Sequence, residues 1–196
     1  MKNYLSERLA QIKPSPTIAI SDKARELRAI GEDVISLSQG EPDFETPEHI
    51  KAAAIQAMQN GQTRYTAVDG IPELKQAIRE KFKQDNGLSY EPSQISVSTG
   101  GKQVLYNAFM ATLNAGDEVI IPAPYWVSYP DMTLLAGGKP IIVNCSSKTD
   151  FKLTAEALEK VVTKNSKWLI LNSPSNPTGS CYSKEELENI ASVVRK

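Results

Sequence analysis

Two hydroxyls, two glycines and a lysine follow one another in Ser98-Thr99-Gly100-Gly101-Lys102. They stand directly after the β-branched run 95–97 and before a helical pattern at Val104, Leu105, Ala108, Phe109 and Thr112. A strand, a tight turn and a helix start in such quick succession aim unpaired backbone N–H groups and the positive end of a helix dipole at one point. Glycines carry no Cβ, so an anion can approach that backbone closely. The hydroxyls add donors and Lys102 adds charge. The chemistry on offer is phosphate binding, and the plainer alternative is a glycine that only turns the chain. Two other phosphate patterns are absent: Gly101-Lys102 is followed by Gln103, and there is no G-x-G-x-x-G.

Two further loops follow apolar runs, where ligands bind in open α/β sheets. Pro122-Ala123-Pro124-Tyr125-Trp126-Val127-Ser128-Tyr129-Pro130 offers the aromatic face of Trp126. Asn172-Ser173-Pro174-Ser175-Asn176-Pro177-Thr178-Gly179 is a proline-stiffened turn that projects Asn176. An Asn-Pro pair that merely starts a turn is the simpler account of the second loop. A phosphate cradle, an aromatic face and a fixed amide together point to a flat, phosphorylated, heteroaromatic ligand.

The elements that must position these residues read clearly in the later part of the chain. Strands are expected at 95–97, 118–121, 141–143 and 168–171, alternating with helices at 102–113, 125–135 and 155–162 and a last helix from Ser183. Ser183 and Glu186 have capping-box spacing. Such alternation predicts an α/β fold with a mainly parallel sheet and helices on both faces. Earlier, Leu5, Leu9 and Ile12 space out as a short amphipathic arm ending at Lys13-Pro14-Ser15-Pro16-Thr17. A helix over 21–29, a strand over 34–37 and a Gly/Pro-rich loop over 38–47 follow. Thr46 is read as N-cap and Pro47 as first residue of a helix reaching Asn60. Pro72 opens another helix, closed by Asn86-Gly87, and Arg64-Tyr65-Thr66 lies in the loop before it.

At 196 residues and 40% hydrophobic content, the chain can bury one good core or one core with an appendage. A formal charge of −1, with acids and bases interspersed, gives no electrostatic footprint for nucleic acid. The N-terminal residues lack an apolar signal core and no apolar run reaches membrane-spanning length. Cys145 and Cys181 stand far apart and without histidine neighbours, so neither a metal site nor a disulfide framework is suggested. A soluble, cytoplasmic protein is expected. His49, the single histidine, is read as a surface residue and Trp168 as a core residue.

Taken in order, Gly40-Glu41-Pro42-Asp43-Phe44, Arg64-Tyr65, Ser98-Thr99-Gly100-Gly101-Lys102-Gln103, Pro124-Tyr125-Trp126 and the 172–179 loop resemble the class I pyridoxal-phosphate aminotransferases. The likeness runs from about Leu9 to the last residue. It is nearest to the bacterial aspartate aminotransferases of the branch that also accepts prephenate. The resemblance implies the fold type I architecture of such enzymes, three layers with a mainly parallel sheet, the large domain being incomplete. Residues 1–45 would be the N-terminal arm and small-domain segment, and 46–196 the first part of the cofactor-binding large domain.

Carried over residue by residue, the likeness implies pyridoxal 5'-phosphate as cofactor. Gly100, Gly101 and Lys102 would hold its phosphate, Trp126 would stack on its ring and Asn176 would donate to its phenolic oxygen. Tyr65 would reach the phosphate of a neighbouring subunit, which implies a homodimer. Gly40, Trp126 and Asn176 would meet the substrate, an amino acid or a 2-oxo acid. Lys13, Thr17 and Lys102 would help select a dicarboxylic one, although each is equally well read as a solvated polar side chain.

The lysine that forms the family's Schiff base lies in a Ser-Lys pair followed by Gly-x-Arg. Here Ser147-Lys148, Ser166-Lys167 and Ser183-Lys184 lack that sequel. The acid that pairs with the pyridine nitrogen and the arginine that clamps the substrate carboxylate are also missing. The last helix has scarcely begun when the chain stops at Arg195-Lys196. The expectation is therefore the N-terminal half of a transaminase of aspartate, with prephenate or arogenate as further substrates, inactive by itself. A vestigial, non-catalytic fragment and a fold type I enzyme of another reaction, such as a lyase, remain alternatives. A nucleotide-binding dehydrogenase is a more distant one, since its glycine fingerprint is absent.

Overall fold

The computed structural model describes residues 4–38, 40 and 42–196. Contacts divide the chain into two compact units, Pro14–Thr99 and a second made of Met1–Lys13 with Gly100–Lys196. The expected division at 45/46 falls within the first of them.

The unit Pro14–Thr99 is helical: α1 is Pro16–Ala29, α2 Glu48–Gln59 and α3 Pro72–Asn86. Helix α1 begins five residues earlier than expected, because Pro16 opens it rather than barring it. The missing N–H of a first-turn proline costs nothing, and its fixed φ suits a helix. Helix α2 starts one residue late, with Pro47 as N-cap and no side-chain cap from Thr46. Gly87, at φ 66°, closes α3 in left-handed backbone as its sequence position implies.

Two expected strands are absent. Residues 34–37 and 95–97 belong to no helix and no strand ladder. A β-branched run needs a neighbouring strand to become one. The Val97 N–H instead donates to the Asp69 carbonyl, at 3.0 Å, in the loop before α3.

The second unit holds α4 (Gly101–Thr112), β1 (Glu118–Ala123), α5 (Ser128–Leu135), β2 (Lys139–Asn144), α6 (Ala155–Glu159), β3 (Ser166–Leu169) and α7 (Lys184–Val194). The strands form one parallel sheet in the order β2-β1-β3. Strand β1 is central, and its first four residues are all buried, as a strand covered on both faces requires.

Period-two alternation along β1 sends Val119 and Ile121 to one face and Ile120 to the other. The first pair joins Phe109 and Leu113 of α4 with Tyr129 and Met132 of α5. Ile120 joins Val143, Leu153, Leu158 of α6, and Ile190 and Val193 of α7. The result is three layers, helix on sheet on helix, as expected. Ser183 caps α7, its Oγ accepting from Glu186 N–H at 3.2 Å while Glu186 accepts from Ser183 N–H at 2.7 Å. No helix among the described residues is long and apolar enough to cross a membrane.

Candidate active site

The strand order fixes where a ligand can sit. From β1 the chain crosses to β2 on one side and then to β3 on the other, so the connections diverge at the carboxyl ends of β1 and β3. That divergence opens a crevice, the usual ligand position in a parallel sheet. The loop after β1 carries Trp126 and the loop after β3 carries Asn176. With the first turn of α4 they enclose an open cleft of about 480 Å³, walled by Gly101, Lys102, Trp126 and Asn176 together with Leu105 and Asn172.

Gly100 is the N-cap of α4 and holds φ at +90°, a conformation that side chains with a Cβ rarely take. A Cβ built on Gly100 or Gly101 would meet nothing within 4 Å, so the space before the helix is open. The first intrahelical bonds come from Gln103 and Val104, both to the Gly100 carbonyl. The N–H groups of Gly101 and Lys102 precede them and point out of the helix end.

Trp126 is half-buried, with the ring of Tyr129 set edge-on to it at 5.5 Å and 81°. The Lys102 ammonium lies 4.9 Å from its ring centroid, a cation–π contact worth about 0.5–1 kcal/mol at an exposed site. An aromatic ligand that stacks on the face under Lys102 would displace that weak contact. Trp168 donates its indole N–H to Thr112 Oγ1 at 2.9 Å and packs edge-on against Phe109 at 5.5 Å. Both tryptophans rest partly buried on the same cluster, so their difference lies in the polar face of Trp126 rather than in burial alone.

Asn176 is fixed through its backbone, whose N–H donates to Asn172 Oδ1 at 2.8 Å. Asn172, which also lines the cleft, was not singled out in the sequence. The repeated asparagine at a spacing of four within one proline-rich turn is the signal that marks it. The peptide bonds before Pro124, Pro174 and Pro177 are cis.

The remaining candidates belong to other parts of the chain. Thr17, in the first turn of α1, Gly40 and Tyr65 belong to the unit Pro14–Thr99, and Tyr65 is fully exposed. Lys13 ends the terminal segment and is exposed. Gln39 and Glu41, on either side of Gly40, lie outside the described residues, as do residues 1–3. His49 is exposed on α2. Cys145 and Cys181 are free thiols, and burial pushes the Cys145 thiol above its ordinary value.

A three-layer α/β fold with an open helix N-terminus, an indole and an amide around the crevice of its parallel sheet places the chain among the α/β proteins that bind ligands at the carboxyl ends of their strands. Residues 32–196 match the model of the family described as "Aminotransferase class I and II", and the chain belongs to that family. It is 62% identical over 193 residues to an aspartate/prephenate aminotransferase of Cereibacter sphaeroides, covering 98% of this chain and 48% of the relative. It is similar to the crystal structure of the aspartate aminotransferase from Rhizobium meliloti, with TM-score 0.93 and 48% identity over 98% of this chain and 48% of that one. The Thermus thermophilus aspartate aminotransferase solved with maleate gives TM-score 0.94 and 47% identity, over 98% of this chain and 50% of that one. The chain thus spans about half the length of the relatives it matches.

Proposed function

We propose that residues 1–196 supply the cofactor cleft of a pyridoxal-phosphate-dependent transaminase that moves the amino group of aspartate to a 2-oxo acid. The observation that carries this reading is the gathering of Gly101, Lys102, Trp126 and Asn176 around one cleft at the carboxyl ends of β1 and β3. The residues fit the cofactor: an open helix end suits a phosphate, and the cleft falls within the ~300–1,000 Å³ of small-molecule sites. When bound, the cofactor carries the amino group and serves as electron sink.

The residues of this chain hold and orient. Backbone N–H groups at Gly100, Gly101 and Lys102 receive the phosphate on the positive end of α4. The face of Trp126 receives the electron-poor ring. The Asn176 amide donates to the phenolic oxygen and favours its ionised form. Gly40 offers its backbone to the substrate carboxylate, and Tyr65 reaches the phosphate of the neighbouring subunit in a cytoplasmic homodimer. Lys13 and Thr17, with Lys102, select the dicarboxylic substrate. The maleate held by the Thermus relative is a dicarboxylate and supports that choice, and the names of the relatives extend it to prephenate.

In the whole enzyme we assign 1–45 to the arm and small domain and 46–196 to the first part of the large domain. The covalent lysine comes from outside residues 1–196. Gly101→Val in the whole enzyme places a side chain in the space the phosphate needs. It should strip the cofactor during gel filtration, followed by visible absorbance. Full retention would overturn the cradle.

A further inference from the structure

Tyr182 and Ser180 have no part in the chemistry above, yet they fasten the loop that carries Asn176. Residues 172–182 fold back on themselves. Gly179 N–H donates to the Ser175 carbonyl at 2.7 Å, Ser175 N–H to the Ser180 carbonyl at 2.9 Å, and Tyr182 N–H to Ser173 Oγ at 3.1 Å. The far end of the loop is then tied to a turn some thirty residues earlier in sequence. Ser180 Oγ donates to the Asp150 carbonyl at 2.7 Å, and Leu153 N–H donates to the Tyr182 hydroxyl at 2.8 Å.

Between those two bonds stand Asp150 and Phe151 at φ 53° and 56°, left-handed backbone that needs outside support when neither residue is glycine. The Tyr182 ring packs against the core cluster behind the sheet, and burial pushes its phenol above the ordinary value of 10.0, so it stays a neutral hydroxyl. Where turn and loop meet the segment after β1 lies a pocket of about 20 Å³, bordered by Pro124, Tyr125, Phe151, Asn176, Ser180 and Tyr182. It has room for about one water.

We propose that Tyr182 is a positioning residue: with Ser180 it locks the 150–153 turn to the 172–182 loop and so fixes the direction in which Asn176 meets its ligand. The proposal rests on the reading that Asn176 donates to the phenolic oxygen of the cofactor.

The experiment uses the whole enzyme loaded with pyridoxal phosphate and compares Tyr182→Phe, Asn176→Ala and the double variant. Ser180→Ala, which cuts the other tie, serves if Tyr182→Phe fails to fold. Tyr182→Phe should raise the apparent pKa in the pH titration of the bound cofactor's visible absorbance, in the same direction as Asn176→Ala. It should lower kcat about 3- to 10-fold, the scale of one neutral hydrogen bond. In the Asn176→Ala background the same change should add nothing to either readout. An equal loss in that background would show a merely structural role and overturn the proposal. An unmoved spectrum in Asn176→Ala alone would overturn the donor reading, and the proposal with it.

Discussion

The two units of this chain are stabilised by opposite means. In the unit with Gly100–Lys196, two apolar clusters sandwich β1, and Phe109, Val119, Ile121 and Leu158 are fully buried. In the unit Pro14–Thr99 the buried residues among those described are Ala24, Lys75 and Ile95, while Leu37, Phe44 and Val68 stand at the surface. The firmest feature there is polar. Lys75 pairs with Asp69, whose carbonyl accepts from Val97, and a Cβ on Gly70 would come within 2.7 Å of Val97 Cγ2. Apolar burial fixes many side chains at once, whereas a clasp fixes a few. The candidate residues that gather, Gly101, Lys102, Trp126 and Asn176, stand on elements backed by the clusters. Thr17, Gly40 and Tyr65 belong to the unit in which little is buried.

The largest effect should come from testing that contrast directly. Phe109→Ala removes a ring with no exposed surface and should cost about 3–5 kcal/mol. Ile55→Ala on α2, where half the side chain already meets solvent, should change stability by no more than about 0.5 kcal/mol. Urea unfolding of residues 1–196 reads both, and comparable costs would break the comparison. A smaller and more pointed effect separates the tryptophans. Trp168→Ala loses the Thr112 bond and the Phe109 contact and should cost about 3 kcal/mol, near the low end for such a truncation. Trp126→Ala should cost less stability but more cofactor, measured as retention in the whole enzyme. The reverse order would mean that the indole face in the cleft is structural.

The same contrast governs what could be read from the sequence. Elements that bury both faces or cap themselves were legible: β1 from its apolar run, α7 from Ser183 and Glu186, the start of α4 from Gly100 and Gly101 before a helical pattern. The runs 34–37 and 95–97 misled because strand formation depends on a neighbour, and nothing local in Val97 says that its N–H will find Asp69. Pro16 misled in the other direction, since a proline reads as a stop until its place in the first turn is known. The gathering of Trp126 with Asn176 follows from strand order and could be anticipated. The ties from Tyr182 to Leu153 and from Ser180 to Asp150 could not, because a hydroxyl shows no preference for a partner some thirty residues away.

The smallest effect, and the sharpest discriminator, is acid. Glu118 is 5% exposed at the start of β1, where it accepts from Thr163 Oγ1 at 2.6 Å and Lys139 Nζ at 3.3 Å. The Thr163 bond, reinforced by Lys139, holds its carboxyl below the ordinary 4.5. Beside it Asp117 is held below 3.8, first by the Asn114 N–H and then by Lys167. In the helical unit Asp69 is lowered as well, by its bond to Lys75. A carboxyl whose native value is depressed contributes stability that is complete above its unfolded value and is lost as pH falls through the native one. Stability should therefore hold from pH 7 to a little above 4.5 and decline below it. Glu118→Gln should lower the urea midpoint at pH 7 and flatten the decline below 4.5, because the amide cannot take up the proton. Asp69→Asn, at a side chain about half exposed, should flatten it less, since water already screens that charge. If Asp69→Asn flattened the acid limb more than Glu118→Gln, the polar clasp rather than the sheet would be the acid-sensitive part, and the division of labour between the two units would have to be reversed.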